Sequence, residues 1–154
     1  MARAGLPSRR LQQWCWRVSD QPSPSLSEQG IADPTTEPFW QGCIEHRLLI
    51  QRCRDCGKHQ FYPRPICLAC EATSLEWVEA RGTATIYSMT TVRVPVTEGL
   101  TPPYVLALVD LDEGPRLLTN IDGEDARIGD RVVLSWRERD SMPPLPIFKL
   151  VAGR

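Results

Sequence analysis

Long apolar runs, histidines and an excess of charge of either sign are absent or scarce in this chain of 154 residues. No run approaches the roughly 20 apolar residues that a membrane-spanning helix needs, so a transmembrane protein is not expected. The formal net charge is −1, so no overall basic field attracts nucleic acid or an anionic membrane. The chain has two histidines, His46 and His59. Cys43 and His46, three positions apart, are a weak candidate for a catalytic nucleophile and its base. We therefore expect no catalytic residues in this chain.

The amino-terminal segment differs in composition from the rest. Residues 1–20 contain arginines and tryptophans without the apolar centre of a secretory signal, and a segment rich in proline and serine follows. We expect residues 1–36 to be a disordered or wrongly assigned leader, with translation beginning near Val18. Mass spectrometry of the native amino terminus would test this, and intact residues 1–17 would contradict it.

Four cysteines in two matched pairs, Cys53 with Cys56 and Cys67 with Cys70, predict a metal site. Each Cys-x-x-Cys turn offers two sulfurs, and two turns complete the tetrahedral thiolate shell that structural zinc prefers. Iron in the same shell is the alternative metal. Gly57 supplies the backbone freedom with which amide groups turn back toward the sulfurs. Because four protein ligands leave no open position, we expect the metal to hold the fold and to perform no chemistry.

Other interpretations of the cysteines are redox dithiols, two disulfides or four ordinary buried thiols, but none of them requires the paired spacing. His59, between the pairs, is a fifth potential ligand that four cysteines make redundant. Metal-binding thiols indicate a reducing compartment, so we expect a cytoplasmic protein.

The flanking segments predict one helix, a strand that enters the ribbon, and five further strands. After Pro38, the residues Phe39, Cys43, His46 and Ile50 recur at intervals of three and four, which is typical of a short amphipathic helix. Beyond Leu48, the β-branched and aliphatic run predicts the strand that leads into the first cysteine pair. Strands are predicted over residues 77–94 with a bend at Gly82, and over 104–111, 115–121, 131–136 and 146–151. Proline-rich connections are predicted over residues 95–103 and 137–146.

These elements predict a mainly β protein in two parts. Residues 37–76 form an N-terminal helix and a four-cysteine zinc ribbon built as a two-stranded hairpin. Residues 77–154 form a five-stranded barrel of the OB type, with an antiparallel sandwich as the alternative.

The order of these features resembles the DUF35 family of acyl-CoA-associated OB-fold proteins. The resemblance covers residues 37–151 and is carried by Glu37 to Trp40, the four cysteines, Gly82 with Thr83, Pro102 to Tyr104, and Ile128 to Val132. It implies a non-catalytic accessory subunit that binds a thiolase-like enzyme or a lipid-transfer-protein-type aldolase. Such a subunit helps to form the partner's acyl-CoA site in lipid, steroid or aromatic acyl-CoA metabolism.

Two groups of residues are candidates for these roles. The cations near the cysteines are Arg52, Arg54, Lys58 and Arg64. They could bind the phosphates of acyl-CoA. The alternatives are that they balance the negative charge of the thiolates or pair with acidic side chains. Phe39 and Trp40, expected to be exposed at the start of the helix, are candidates for partner contact, with core packing as the alternative.

A nucleic-acid-binding module is the alternative function, because zinc ribbons and OB barrels both serve that purpose. The acidic residues that crowd the predicted barrel disfavour it, because they repel phosphate; they are Asp110, Asp112, Glu113, Asp122, Glu124 and Asp125. A rubredoxin-like electron carrier is a third interpretation, which the additional barrel disfavours.

Overall fold

The structure, a computed structural model, describes residues 33–96, 100–123, 125–140 and 142–151. Residues 1–32, which hold most of the predicted leader, lie outside the described residues. The elements are the helix α1 (Glu37–Ile44) and the strands β1 (Leu49–Cys53), β2 (His59–Gln60), β3 (Leu75–Glu79), β4 (Thr83–Val92), β5 (Tyr104–Leu111), β6 (Arg116–Asp122), β7 (Arg131–Arg139) and β8 (Met142–Leu150). Within the described part of the chain, no helix is long and apolar enough to cross a membrane.

The helix α1 is shorter than its spacing pattern suggests. Pro38 lies in its first turn, where the missing N–H costs no hydrogen bond, and Phe39 and Cys43 are buried on one face. The helical position predicted for His46 is wrong, whereas the strand predicted beyond Leu48 is confirmed as β1. His46 follows the helix with a φ of 56° and reverses the chain, while Ile50 is a buried residue of β1.

A three-stranded sheet in the order β2-β1-β3 forms the ribbon. β3 pairs with the whole of β1, and Trp77 lies opposite Gln51. The prediction of a two-stranded ribbon followed by one bent strand over 77–94 is therefore wrong. Gly82 does mark a sharp bend, with a φ of 77°, and a Cβ there would lie 2.9 Å from the Cβ of Leu134. The bend directs the chain out of the ribbon sheet and into the barrel.

The remaining five strands close into a barrel in the order β4-β5-β6-β8-β7. All pairs are antiparallel except β6 with β8, which are parallel at Ile121 and Asp122. Alternate residues of β5 point inward, as a strand with one buried face requires. Phe148 is completely buried, beside Leu134 of β7 and opposite Ile121 of β6. The closed order confirms the predicted five-stranded OB-type barrel and not the sandwich.

The proline-rich connection predicted over residues 137–146 is wrong, because β7 and β8 form a hairpin there. Proline has no N–H to donate, so it is tolerated in strands mainly at edges and bulges. The pairing passes from Arg139 opposite Met142 to Arg137 opposite Leu145, with a register shift that accommodates Pro143 and Pro144. The Nε and Nη2 of Arg139 donate to the Pro143 carbonyl at 2.9 and 2.6 Å, which fixes the hairpin.

An ion pair reinforces the short β4 and β7 pairing that closes the barrel. Arg131 donates from both terminal nitrogens to the two carboxylate oxygens of Asp112, at 2.7 and 2.8 Å, and the Thr83 hydroxyl donates to the same carboxylate. These hydrogen bonds, chiefly those from Arg131, hold the pKa of Asp112 well below its usual range.

Replacing Asp112 with asparagine is expected to lower the thermal stability of the barrel at neutral pH. A carboxyl with a lowered folded-state pKa stabilises the fold above its unfolded pKa, about 3.9, and this contribution is lost as the pH falls toward the folded value. The difference in melting temperature between the wild type and D112N should be widest near neutral pH and should shrink below about pH 4. An equal difference at both pH values would contradict the ion pair. Asp122→Asn, which loses only an exposed contact of 3.6 Å with Lys149, is the control.

Candidate metal centre and adjoining groove

The two Cys-x-x-Cys turns have the same backbone geometry. In the first, the Gly57 N–H donates to the Cys53 carbonyl at 2.9 Å; in the second, the Glu71 N–H donates to the Cys67 carbonyl at 3.0 Å. Gly57 and Glu71, each four residues after the first cysteine of its pair, have φ values of 72° and 61°. Two equivalent turns therefore present their cysteines to one point, although only the first has the glycine that this conformation favours.

The four sulfurs of Cys53, Cys56, Cys67 and Cys70 lie within 4.8 Å of one another. The separation is 3.6 Å between Cys53 and Cys70 and 3.7 Å between Cys56 and Cys67, far beyond a disulfide bond of about 2.05 Å. Tetrahedral zinc with Zn–S bonds of about 2.3 Å places its sulfurs about 3.8 Å apart. The predicted cluster is thus confirmed, and its geometry fits a four-thiolate metal centre.

Backbone amides on the second pair favour the thiolate that a metal requires. The Ala69 N–H donates to the Cys67 sulfur at 3.4 Å, and it acts with the Cys70 N–H to lower the pKa of Cys67 to about 7. Cys53 and Cys67 are buried, whereas Cys56 and Cys70 are exposed. The site therefore lies at the surface of the ribbon, with one edge open to solvent.

Two buried glutamines that the sequence reasoning missed attach the intervening loop to the ribbon. The Gln60 side chain donates to Gln51 Oε1 at 2.8 Å and accepts from the Leu68 N–H at 3.0 Å. The Gln51 amide donates to the Arg64 carbonyl at 3.0 Å, and its oxygen accepts from the Arg64 N–H at 2.9 Å. A glutamine at an inward position of a strand was the signal in the sequence that could have revealed this network. A buried side-chain amide needs hydrogen-bond partners nearby. This network fixes the second cysteine pair relative to the first.

The predicted phosphate-binding cations divide into two kinds. Arg52 and Arg54 lie 3.6 and 3.0 Å from the carboxylate of Glu76, on the adjacent strand β3. Within the described residues, Lys58 and Arg64 have no side-chain ion pair, so they keep their charge available. Arg64 lines a shallow hollow of about 290 Å³ beside Pro65 and Trp77. The structure therefore makes Lys58 and Arg64 better candidates for an anionic ligand than the two paired arginines.

Beside the ribbon lies an apolar groove of about 210 Å³, lined by Trp40, Phe61, Tyr62, Leu106, Leu118 and Leu145. Helix, ribbon and barrel each contribute to this lining. Tyr62 and Leu118 are each 60% exposed, so the groove has large apolar side chains open to solvent at its rim. Adjoining apolar residues of this size are typical of protein contact surfaces.

Of the two residues predicted to contact a partner, Phe39 is buried, which favours the alternative of core packing. Phe39 is 7% exposed and packs 5.0 Å from the Trp40 ring and 5.4 Å from the Phe61 ring, so the expected exposure is wrong. The burial of one helix face explains this, because Phe39 shares its face with Cys43. Trp40 is half-buried and lines the apolar groove, so it keeps its predicted availability.

Cys43 and His46, the weak candidate for a nucleophile and base, lie in different surroundings. Burial raises the pKa of Cys43 to about 12, so its thiol remains protonated at neutral pH. The His46 ring instead contacts Glu138, with Nε2 2.8 Å from Oε1, and meets the Trp136 ring edge-on at 5.3 Å. His46 therefore connects the turn after α1 to β7, while Cys43 packs in the core.

Comparison with known proteins divides the chain into a ribbon part and a barrel part, with the boundary inside β3. Residues 40–76 match the family described as ChsH2, rubredoxin-like zinc ribbon domain, and residues 77–137 match ChsH2, C-terminal OB-fold domain. A DUF35 domain-containing scaffold protein of Methanocaldococcus jannaschii is 33% identical over 113 residues, which cover 70% of this chain and 80% of that protein.

A second relative is considerably longer. The probable enoyl-CoA hydratase alpha subunit of Thermomonospora curvata is 40% identical over 115 residues, which cover 72% of this chain and 36% of that protein. The chain thus spans about a third of that relative.

Among solved structures, a chain of the Ltp2-ChsH2(DUF35) aldolase superposes with a TM-score of 0.70 at 34% identity, covering 84% of this chain and 98% of that one. Sequence and structure therefore agree on the order of the two parts. The chain belongs to the DUF35 family, with a ChsH2-type zinc ribbon followed by a ChsH2-type OB-fold domain.

Proposed function

We propose that this chain is a non-catalytic accessory subunit that docks on a thiolase-like enzyme or a lipid-transfer-protein-type aldolase and helps to form its acyl-CoA site. The observation that carries this proposal is the apolar groove, because it is built jointly by helix, ribbon and barrel and is open to solvent. A relative described as part of an aldolase and another described as a hydratase subunit support it. The cytoplasm, where thiols remain reduced, is the compartment that we propose for it.

The size of the groove suggests how a partner would engage it. About 210 Å³ accommodates one or two large side chains, so we expect the partner to insert a small apolar group between Trp40, Tyr62 and Leu118. Interfaces commonly concentrate their binding energy in such anchored contacts. Arg139, whose guanidinium carbon lies 6.0 Å from the centre of the Trp40 ring, supports this side of the groove.

Zinc is the metal that we propose for the four cysteines, with a structural role. Bound there, it would supply a fixed tetrahedral link between the two turns and leave no open position for substrate. Phe61 and Tyr62 lie in the loop between the cysteine pairs, so a rigid ribbon holds two walls of the groove in place. For acyl-CoA, we propose that Lys58 and Arg64 contact the phosphates, because Glu76 already neutralises Arg52 and Arg54.

Leu118→Asp is expected to weaken partner binding by at least about 30-fold, because it places a carboxylate in an apolar contact surface. Ile128→Asp is the matched control, since Ile128 is 66% exposed and lies outside the groove lining. Each variant would carry an affinity tag in the native host, and co-purifying proteins would be identified by mass spectrometry. The proposal predicts a thiolase-fold or aldolase subunit with the wild type and I128D but not with L118D.

Equal recovery of that subunit with L118D would exclude the groove as the docking surface. If instead the chain purifies alone and retards single-stranded oligonucleotides, the nucleic-acid-binding alternative replaces this proposal. The acidic side chains on the barrel predict that no such retardation occurs at physiological salt.

A further inference from the structure

Arg139 lies at the edge of the apolar groove and is only partly open to solvent. It is half-buried on β7, and its guanidinium carbon lies 6.0 Å from the centre of the Trp40 ring, which lines the groove. Leu145, a second lining residue, belongs to the hairpin that β7 forms with β8. A cation therefore adjoins the apolar surface on which we expect a partner to dock.

The hydrogen bonds of Arg139 use only one side of its guanidinium. Nε and Nη2 both donate to the Pro143 carbonyl, at 2.9 and 2.6 Å. An arginine has five N–H donors in a planar fork. Within the described residues, the donors of Nη1 and the outer hydrogen of Nη2 have no hydrogen-bond acceptor. Two neighbouring donors of this kind are what a bidentate contact with a carboxylate requires.

In the part of the chain that the structure describes, no carboxylate pairs with Arg139. Glu138 instead contacts His46, with its Oε1 2.8 Å from Nε2, and Asp140 is exposed. The charge that acts on Arg139 is that of Cys43, whose thiol remains protonated at neutral pH. Burial lowers the pKa of Arg139, because partly desolvated surroundings disfavour the charged form. A carboxylate supplied from outside would offset that desolvation.

We propose that the catalytic subunit that docks on the apolar groove presents an aspartate or glutamate to Arg139, beside the apolar side chain that enters the groove. This inference rests on the proposed function and names the chemistry of the partner's contact. The carboxylate accepts from the open side of the guanidinium, next to the Trp40 ring. A bidentate pair forms in few orientations, so it fixes how the docked subunit lies on the groove.

Zero-length cross-linking tests the proposal on the tagged full-length chain, expressed in its native host together with its partner. Arg139→Lys keeps a positive charge and a donor for the Pro143 carbonyl. A water-soluble carbodiimide activates carboxylates, and a lysine amine in contact displaces the activating group to form an amide without a spacer. The natural lysines of the chain are Lys58 and Lys149, so peptide mapping distinguishes a product formed at position 139.

We expect an amide between position 139 of Arg139→Lys and an aspartate or glutamate of the catalytic subunit. Arg137→Lys is the matched control. Arg137 is half-buried on the same strand, but it lines a separate hollow beside Tyr104 and Asp122, so its variant should give no such product.

Charge reversal provides a second measurement. Arg139→Glu should weaken binding of the purified catalytic subunit by at least about 30-fold, because two carboxylates then face each other, whereas Arg139→Lys should stay within about tenfold of the wild type. Biolayer interferometry measures both affinities, and melting temperatures show whether each variant is folded. Replacing the cross-linked acid of the partner with arginine should restore the binding of Arg139→Glu.

The outcomes separate this inference from the proposed function. If the wild type recovers no thiolase-fold or aldolase subunit, the proposed function fails and the inference fails with it. If that subunit is recovered but position 139 forms no amide with its acidic residues, the inference alone is overturned. Wild-type affinity for Arg139→Glu would also overturn the inference alone, while the docking proposal stands.

Discussion

Replacing Cys53 with serine is expected to abolish metal binding and unfold the ribbon while the barrel stays folded. Cys53 is fully buried at the end of β1, and serine offers a hydroxyl that does not replace a thiolate ligand. Metal binding contributes about 10–16 kcal/mol in zinc-finger peptides, more than a ribbon of this size gains from its own core. Metal content should fall from about one zinc per chain to below about a tenth. Elemental analysis measures this directly.

Hydrogen exchange then shows which part has unfolded. In Cys53→Ser, residues 49–79 should lose protection, whereas the strands of the closed barrel should keep theirs, because their ladder hydrogen bonds are internal. Cys43→Ala is the matched control, since it removes a fully buried cysteine outside the cluster and should retain its zinc. Full zinc in C53S, or lost zinc in C43A, would contradict the four-cysteine site.

Phe148→Ala is expected to destabilise the barrel by about 3–5 kcal/mol, a large share of the 5–15 kcal/mol that stabilises a typical domain. Phe148 is completely buried on β8, which pairs with β6 on one side and with β7 on the other. Truncation removes the contacts of the Phe148 side chain and leaves a cavity. The adjacent strands β6 and β7 cannot move in to fill this cavity, because both are held by hydrogen bonds to β8. Chemical denaturation followed by circular dichroism measures the change in the free energy of unfolding.

Val151→Ala provides the comparison on the same segment. Val151 is 51% exposed, so its truncation should change the free energy of unfolding by less than about 0.5 kcal/mol. A loss below about 1 kcal/mol for Phe148→Ala would mean that Phe148 does not pack in the core of the barrel.

The metal centre and the barrel strands could be predicted because both depend on short patterns. Two Cys-x-x-Cys turns bring their sulfurs together whatever surrounds them, and β5 alternates between buried and outward residues along its whole length. The pairing of β3 with β1 could not be predicted in this way. It joins Trp77 to Gln51 across 26 positions, and strand patterns do not identify the partner strand.

The apolar groove could not be predicted from the sequence for a related reason. Its lining extends from Phe39 to Pro146, and no local pattern connects these positions. One signal was present in β6, where Leu117 and Leu118 are consecutive: alternation places one inside, so the other faces out. The prolines of β8 led to the wrong prediction of a connection, because a register shift accommodates them in the β7 and β8 hairpin.

Site-specific photo-crosslinking at position 118 tests the docking claim most directly. A photoreactive amino acid in place of Leu118, in the tagged full-length chain expressed in its native host, reports what lies against the groove at the moment of irradiation. We predict one cross-linked product whose mass spectrum identifies a thiolase-fold or lipid-transfer-protein-type aldolase subunit, with no such product from the same amino acid at Ile128. Cross-linking only to nucleic acid, or to no catalytic subunit at either position, would contradict the account.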